Sequence, residues 1–210
     1  MKERILEKSR ELFMRYGIRS VTMDEIAAQL GISKKTIYQF YADKDEIVEA
    51  IVTREIDSNE SKCMDCRMSA ENAIHEVFLG IEQTEEMLKG MNPLIMYDLE
   101  KHHPRAFKKL RDHKLQFLYK TFRENLVRGI DEELYRPEVN VEIVAKLHNE
   151  SVFLFFNQEI FPQNRFRVID IIYEIDQLYL HGIITSKGRK YMEKYMQKHV
   201  LKNDGGLYLS

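Results

Sequence analysis

Val21-Thr22-Met23-Asp24-Glu25-Ile26-Ala27-Ala28-Gln29-Leu30-Gly31-Ile32-Ser33-Lys34-Lys35-Thr36-Ile37-Tyr38-Gln39-Phe40-Tyr41 holds two helix starts separated by a glycine. Thr22 and Glu25 stand at capping-box spacing, so the hydroxyl serves the exposed N–H at N3 and the carboxylate reaches back to the cap. Ile26, Ala27 and Leu30 then make a short apolar face that ends at Gly31. Ser33 recaps the chain; Ile37, Phe40 and Tyr41 turn inward while Lys34, Lys35, Thr36, Tyr38 and Gln39 turn outward. Two short helices joined by a brief turn containing glycine form a helix-turn-helix.

Upstream, Ile5, Ser9, Leu12, Phe13 and Tyr16 share one face of a helix that stops at Gly17. Downstream, Asp43 or Asp45 caps a fourth helix carrying Ile47, Val48, Ile51 and Val52, which links this N-terminal unit to the rest. The polar run Ser58-Asn59-Glu60-Ser61-Lys62 predicts a break, with helical patterning resuming near Ser69. Pro93 and Pro104 stand where helices begin. Pro104 takes N1 of a long helix reaching about Arg128, with Phe107, Leu110, Phe117, Leu118, Thr121 and Phe122 on its buried side and Gly129 as its end.

Two further helices are expected from about Val141 to Gln158 and from about Phe166 to His181, around the break Phe161-Pro162-Gln163-Asn164. Val144, Leu147, His148, Ser151, Val152, Phe155 and Phe156 make the first stripe wide, and Val168, Ile171, Ile172, Ile175, Leu178 and Tyr179 do the same for the second. Such stripes need cover on more than one side, from a central core position or a subunit interface; two helices from each of two chains would close a four-helix bundle. With no strand-like alternation or internal repeat, the reading is all-α: a three-helix unit with a helix-turn-helix at 1–47 and a helical unit at 48–210.

With 44% hydrophobic and 31% charged residues, the chain reads as a packed globular protein, not a disordered or fibrous one. Its net charge of -2 hides an asymmetry: from Met1 to Tyr41 there are eight basic residues against five acidic ones, leaving an acidic remainder. A basic head on an acidic body suits docking to nucleic acid at one end. The N-terminus lacks the apolar run of a secretory signal and no window approaches a membrane span, so a cytoplasmic protein without a membrane partner is expected. Cys63 and Cys66 form no disulfide framework. Their C-x-x-C spacing raises a thiol or metal sensor, but with His75 it supplies only three of the four ligands of a structural zinc site; two plain thiols are the simpler reading, and no metal or cofactor is expected.

Gly31 to Ile47 closely resembles the recognition segment of the TetR family of regulators, as do Val21 to Leu30 and the helix ending Leu12-Phe13-Met14-Arg15-Tyr16-Gly17. Leu180-His181-Gly182-Ile183-Ile184-Thr185-Ser186-Lys187-Gly188-Arg189 is similar to the family's C-terminal close. Lys35 stands where the family often has Gly, and Phe40-Tyr41 where Tyr-Phe is common. The resemblance implies phosphate positioning by Thr22, Ser33, Thr36, Tyr38 and Lys44, base contact by Lys35 and Gln39, and either role for Lys34. A recognition helix in the major groove presents such donors to base edges and phosphates.

The resemblance further implies a homodimer on double-stranded operator DNA, with 48–210 as the regulatory unit for dimerisation and for a small-molecule effector that alters the spacing of the heads. Repression is the family default. Met87, Met91, Met96, Tyr97, Phe117, Phe153 and Phe156 could line an adaptable apolar pocket or simply fill the core. His75, His113 and His148, with Asn157, could orient a polar ligand group or be ordinary structural residues. No nucleophile elbow, H-E-x-x-H, phosphate loop or dinucleotide fingerprint appears, so an enzyme is not expected.

Overall fold

The computed structural model describes residues 1–92, 94–162 and 164–202. Eleven helices are seen among them, with no β-strand beyond a single bridge between Tyr135 and Ile184. The head is built from α1 (Lys2–Tyr16), α2 (Met23–Leu30) and α3 (Lys34–Tyr38), closed by the first turns of α4 (Lys44–Ser69). Ile5, Leu12, Phe13, Ile26, Ile37, Ile47 and Val48 form its core. Tyr16 differs from the sequence reading: it follows the apolar face of α1 but is exposed, because Gly17, at φ 83°, turns the chain away beneath it. Asp43, not Asp45, caps α4, its carboxylate accepting from Glu46 N.

The expected break after Asp57 is absent, and α4 runs unbroken for 26 residues. The run contains neither Gly nor Pro, and its polar groups find partners on the helix beside it: Asn59 and Glu60 hold His113, while Arg67 pairs with Glu124. Polarity there marks a face directed at other polar groups rather than an end of helix.

The body continues through α5 (Ala73–Leu88), α6 (Ile95–His102) and α7 (Pro104–His113). Pro104 occupies N1 as expected, whereas Pro93 lies outside the described residues. The long helix from Pro104 is interrupted by a π-helical turn at Lys114–Leu118 and resumes as α8 (Tyr119–Asp131). Gly129 is not its end. It lies inside α8, where a Cβ would come within 2.0 Å of the Tyr135 ring; the glycine is there for close approach. The turn comes later, at Glu133 with φ 59°, and the amides of Leu134 and Tyr135 both donate to the Gly129 carbonyl.

α9 (Val141–Leu154) starts where expected and ends four residues early, α10 (Val168–Ile183) is shifted two residues onward, and α11 (Ser186–Lys202) follows. Phe166 stands outside α10 and is exposed, and Asn157 turns the chain by accepting from the amides of Glu159 and Ile160. The two wide stripes are only half covered. Ala145, His148, Ile171, Ile172 and Leu180 are buried, while Ile143, Leu147 and Leu178 are 64%, 72% and 71% exposed.

Candidate nucleic-acid interface

The capping box of α2 is complete: Thr22 Oγ1 accepts from Glu25 N at 3.2 Å, and Glu25 Oε2 accepts from Thr22 N at 2.6 Å. Gly31 ends the helix in the left-handed region at φ 64°, and Ser33 Oγ accepts from Thr36 N at 3.1 Å to start α3. These are the local devices read from the sequence, and they set the angle between the two helices. Lys34 Nζ donates to Asp24 Oδ2 at 2.9 Å, an ion pair joining the first turns of α2 and α3 and holding the Lys34 ammonium above its ordinary range.

Thr22, Ser33, Lys35, Tyr38 and Gln39 are exposed, and Lys34 and Thr36 are partly so. Ile37 between them is wholly buried, which anchors a helix of five residues from beneath. Lys44 is placed differently. Its ammonium donates to the Ile18 carbonyl at 2.5 Å and lies 5.6 Å from the centre of the Phe13 ring, and burial pushes its pKa down. It therefore braces the α1–α2 connection from the first turn of α4.

Two head-holding residues were missed by sequence reasoning. Asp98 on α6 accepts from Arg19 N at 3.0 Å, and His103 Nδ1 meets Asp45 Oδ1 at 2.6 Å. Asn92 N also donates to the Met14 carbonyl at 2.7 Å, while Ile95, Leu99 and Ala106 join the apolar cluster of the head. No local pattern signals such contacts, since the partners lie 79 and 58 residues apart.

A family model for bacterial regulatory proteins of the tetR family matches residues 5–51, the stretch that carries these caps and this turn. Residues 5–51 therefore form a tetR-family domain of the bacterial regulatory type. The HTH-type regulator YvaF of Bacillus subtilis is 32% identical over 113 residues, covering 49% of this chain and 54% of that protein. An HTH-type regulator of Mycobacterium tuberculosis is 41% identical over 44 residues, 21% of this chain and 18% of its own. This chain spans about half the length of the curated relatives it matches. A TetR-family regulator from Agrobacterium tumefaciens superposes with a TM-score of 0.71 at 16% identity, over 88% of this chain and 97% of that one. A regulator from Saccharomonospora viridis in complex with choline gives a TM-score of 0.70 at 17% identity, with the same coverage. The likeness extends the TetR fold beyond the head to the helical body.

In the helical body, the groups named from sequence fall in separate environments. Met91 and Met96 pack against the head cluster, Phe117 stacks on His113, Phe153 stacks on Phe107, Phe156 packs with Phe155 and Ile172, and Met87 and Tyr97 are exposed. His75 stacks on Tyr195 and accepts from Glu71 N, while the thiols of Cys63 and Cys66 face Asn59 and Gln83. Burial pushes Cys63 up to about 11 and raises Cys66, which disfavours the nucleophilic thiolate. Among the described residues no group of three or more His, Cys, Asp or Glu is arranged to hold a metal ion, and no helix is long and apolar enough to cross a membrane.

His148, on α9, is buried against α10 and α8, stacked on Tyr179 with ring centres 3.9 Å apart and edge-on to Phe122. Its Nε2 lies 3.6 Å from Asp176 Oδ1. Burial lowers the His148 pKa to about 4 and raises that of Asp176 to about 7, so each is driven toward its uncharged form.

Proposed function

We propose that this chain is a homodimeric repressor of the TetR family, released from a palindromic operator by a small-molecule effector. The observation that carries the reading is the exposed face of α3, with Lys35, Tyr38 and Gln39 displayed over a fully buried Ile37. Lys35 and Gln39 supply the base contacts, and Lys34 takes either role. Thr22, Ser33, Thr36, Tyr38 and Lys44 hold phosphates, Lys44 retaining two ammonium hydrogens after its bond to Ile18. The exposure of Ile143, Leu147 and Leu178 supports dimerisation through α9 and α10, where a second copy would cover them.

Symmetric heads must reach half-sites about one helical turn apart, so an effector that favours the misaligned spacing releases both ends. A division at 1–47 and 48–210 separates the reading head from the regulatory body. Selection of bound sequences from random duplexes at two salt concentrations tests the reading. A palindrome with half-sites about one turn apart is expected; no enrichment by a folded dimer overturns it. On the recovered operator, Gln39→Ala relaxes sequence preference, whereas Lys44→Ala weakens binding to all sequences and lowers the salt slope by about one.

A further inference from the structure

Lys114 opens the π-helical turn between α7 and α8 and is only 5% exposed. Withdrawing an ammonium from water this far costs more than an ordinary ion pair returns, and a π turn inside an α-helix often accompanies a functional site. Lys114 Nζ donates to Glu150 Oε2 on α9 at 2.8 Å and lies 4.7 Å from the centre of the Phe153 ring. Phe153 is in turn stacked on Phe107, with ring centres 5.6 Å apart. The two partners of the ammonium differ in kind. Phe153 is half-buried in an aromatic stack, whereas the Glu150 side chain is 65% exposed.

A solvated glutamate loses rotamer freedom to hold this position and regains its hydration on leaving it. The lysine has no such exit. The arrangement is a buried cation beside an aromatic stack, paired with one largely exposed carboxylate. No second cation is bonded to Glu150 among the described contacts, so the site matches a single negative charge.

We propose that Lys114, Phe153 and Phe107 form a binding site for an apolar or aromatic monocarboxylate, whose carboxylate takes the place of Glu150 on Lys114 Nζ while its apolar body lies on the Phe153–Phe107 stack. The inference rests on the reading of the chain as an effector-controlled regulator and adds the chemistry of the effector. Phe107 also packs against the apolar cluster of the head, and α7 holds α4 through Arg105 to Glu49 and Lys109 to Thr53. A ligand that moves Phe153 off Phe107 thus acts on the helix that holds the head in place.

The test is calorimetric titration of the full chain with decanoate and with decan-1-ol, which share an apolar body and differ in charge. Decanoate is expected to bind about tenfold tighter or more, the return on one charged hydrogen bond. Lys114→Met brings the two affinities together without loss of the folded state. Glu150→Gln removes the competing carboxylate and tightens decanoate binding, leaving decan-1-ol unchanged; a purely structural ion pair predicts no such gain. Equal affinities in the unaltered protein, absence of decanoate binding to it and to Glu150→Gln, or a preference that survives Lys114→Met overturns the site. Should Lys114→Met not fold, decanoate binding that is unchanged or weaker in Glu150→Gln overturns it alone. Lys114-dependent decanoate binding that leaves operator affinity untouched supports the site and counts against effector release. Operator release by another compound, with no decanoate bound, removes the site and keeps the repressor reading.

Discussion

The head and the body of this molecule solve the same packing problem with different materials. In the head, each of α2, α3 and α4 begins on a side-chain cap, from Thr22, Ser33 and Asp43, and the core beneath is aliphatic and aromatic apart from Ser9. In the body, Asn72 and Asn140 cap α5 and α9, but α6, α7 and α10 start without a side-chain cap, as α1 does, and Glu76, Lys114, Asn125, His148, Asn149 and Asp176 are buried among the apolar groups. The difference teaches where each part gets its definition. Caps and a glycine turn act within four residues, so the helices of the exposed face start and stop on local signals, while Asp98 and His103 fasten the head to α6. Buried polar groups must find partners across helices, and they leave the body with groups whose ionisation is shifted by burial, as at His148 and Asp176.

The largest effect that would sharpen this contrast is expected in the head. Ile37→Ala removes the only buried side chain of α3 and should cost about 2–5 kcal/mol of stability, with operator binding lost at temperatures where the body stays helical. Urea unfolding followed by circular dichroism, alongside a DNA-binding assay, checks it; an unaltered binding curve would break the idea that α3 is held from below.

In the body, Gly129→Ala drives a methyl into the buried Tyr135 ring, whose hydroxyl donates to Asn125. A cost of about 1–3 kcal/mol follows from overpacking. Wild-type stability in the same urea titration would mean that the ring has room to move.

The buried pair His148 and Asp176 gives the third test. Asp176 has its pKa raised from 3.8 to about 7, so its contribution is present at low pH and is lost as pH rises through about 7. His148 is lowered from 6.5 to about 4, so its contribution is present above 6.5 and is lost as pH falls through about 4. Between those limits the two oppose each other. Asp176→Asn should leave stability falling on acidification below pH 6.5, and His148→Gln should leave it falling as pH rises from about 4 toward 7, each by at most about 1.4 kcal/mol per pH unit. Parallel pH profiles for the two variants would show that the groups do not titrate in opposition.

The smallest effect belongs to the cap. Thr22→Ala should destabilise the head by about 1 kcal/mol and weaken DNA binding at high and low salt alike, measurable by thermal unfolding and by titration. A loss of binding with no loss of stability would assign the hydroxyl to DNA alone.

By itself, the sequence determined the parts of this protein that depend on neighbours along the chain. The capping box at Thr22, the left-handed Gly31, the Ser33 cap, Pro104 at N1 and the all-helical class are all short-range consequences of residue type and period. The same holds for the display of Lys35, Tyr38 and Gln39, since they stand only one or two residues from the buried Ile37 and so turn away from its face. Tertiary structure decided what needed a partner from elsewhere. Ser58 to Lys62 stays helical because α7 and α8 supply partners for α4, and Gly129 lies within a helix because Tyr135 returns against it. Asp98 grips the Arg19 amide, and Lys114 is buried on Phe153, only once chain segments far apart in sequence have met. A polar run or a glycine has the same local signature whether it ends a helix or meets another one, and only the packing of helix on helix separates the two.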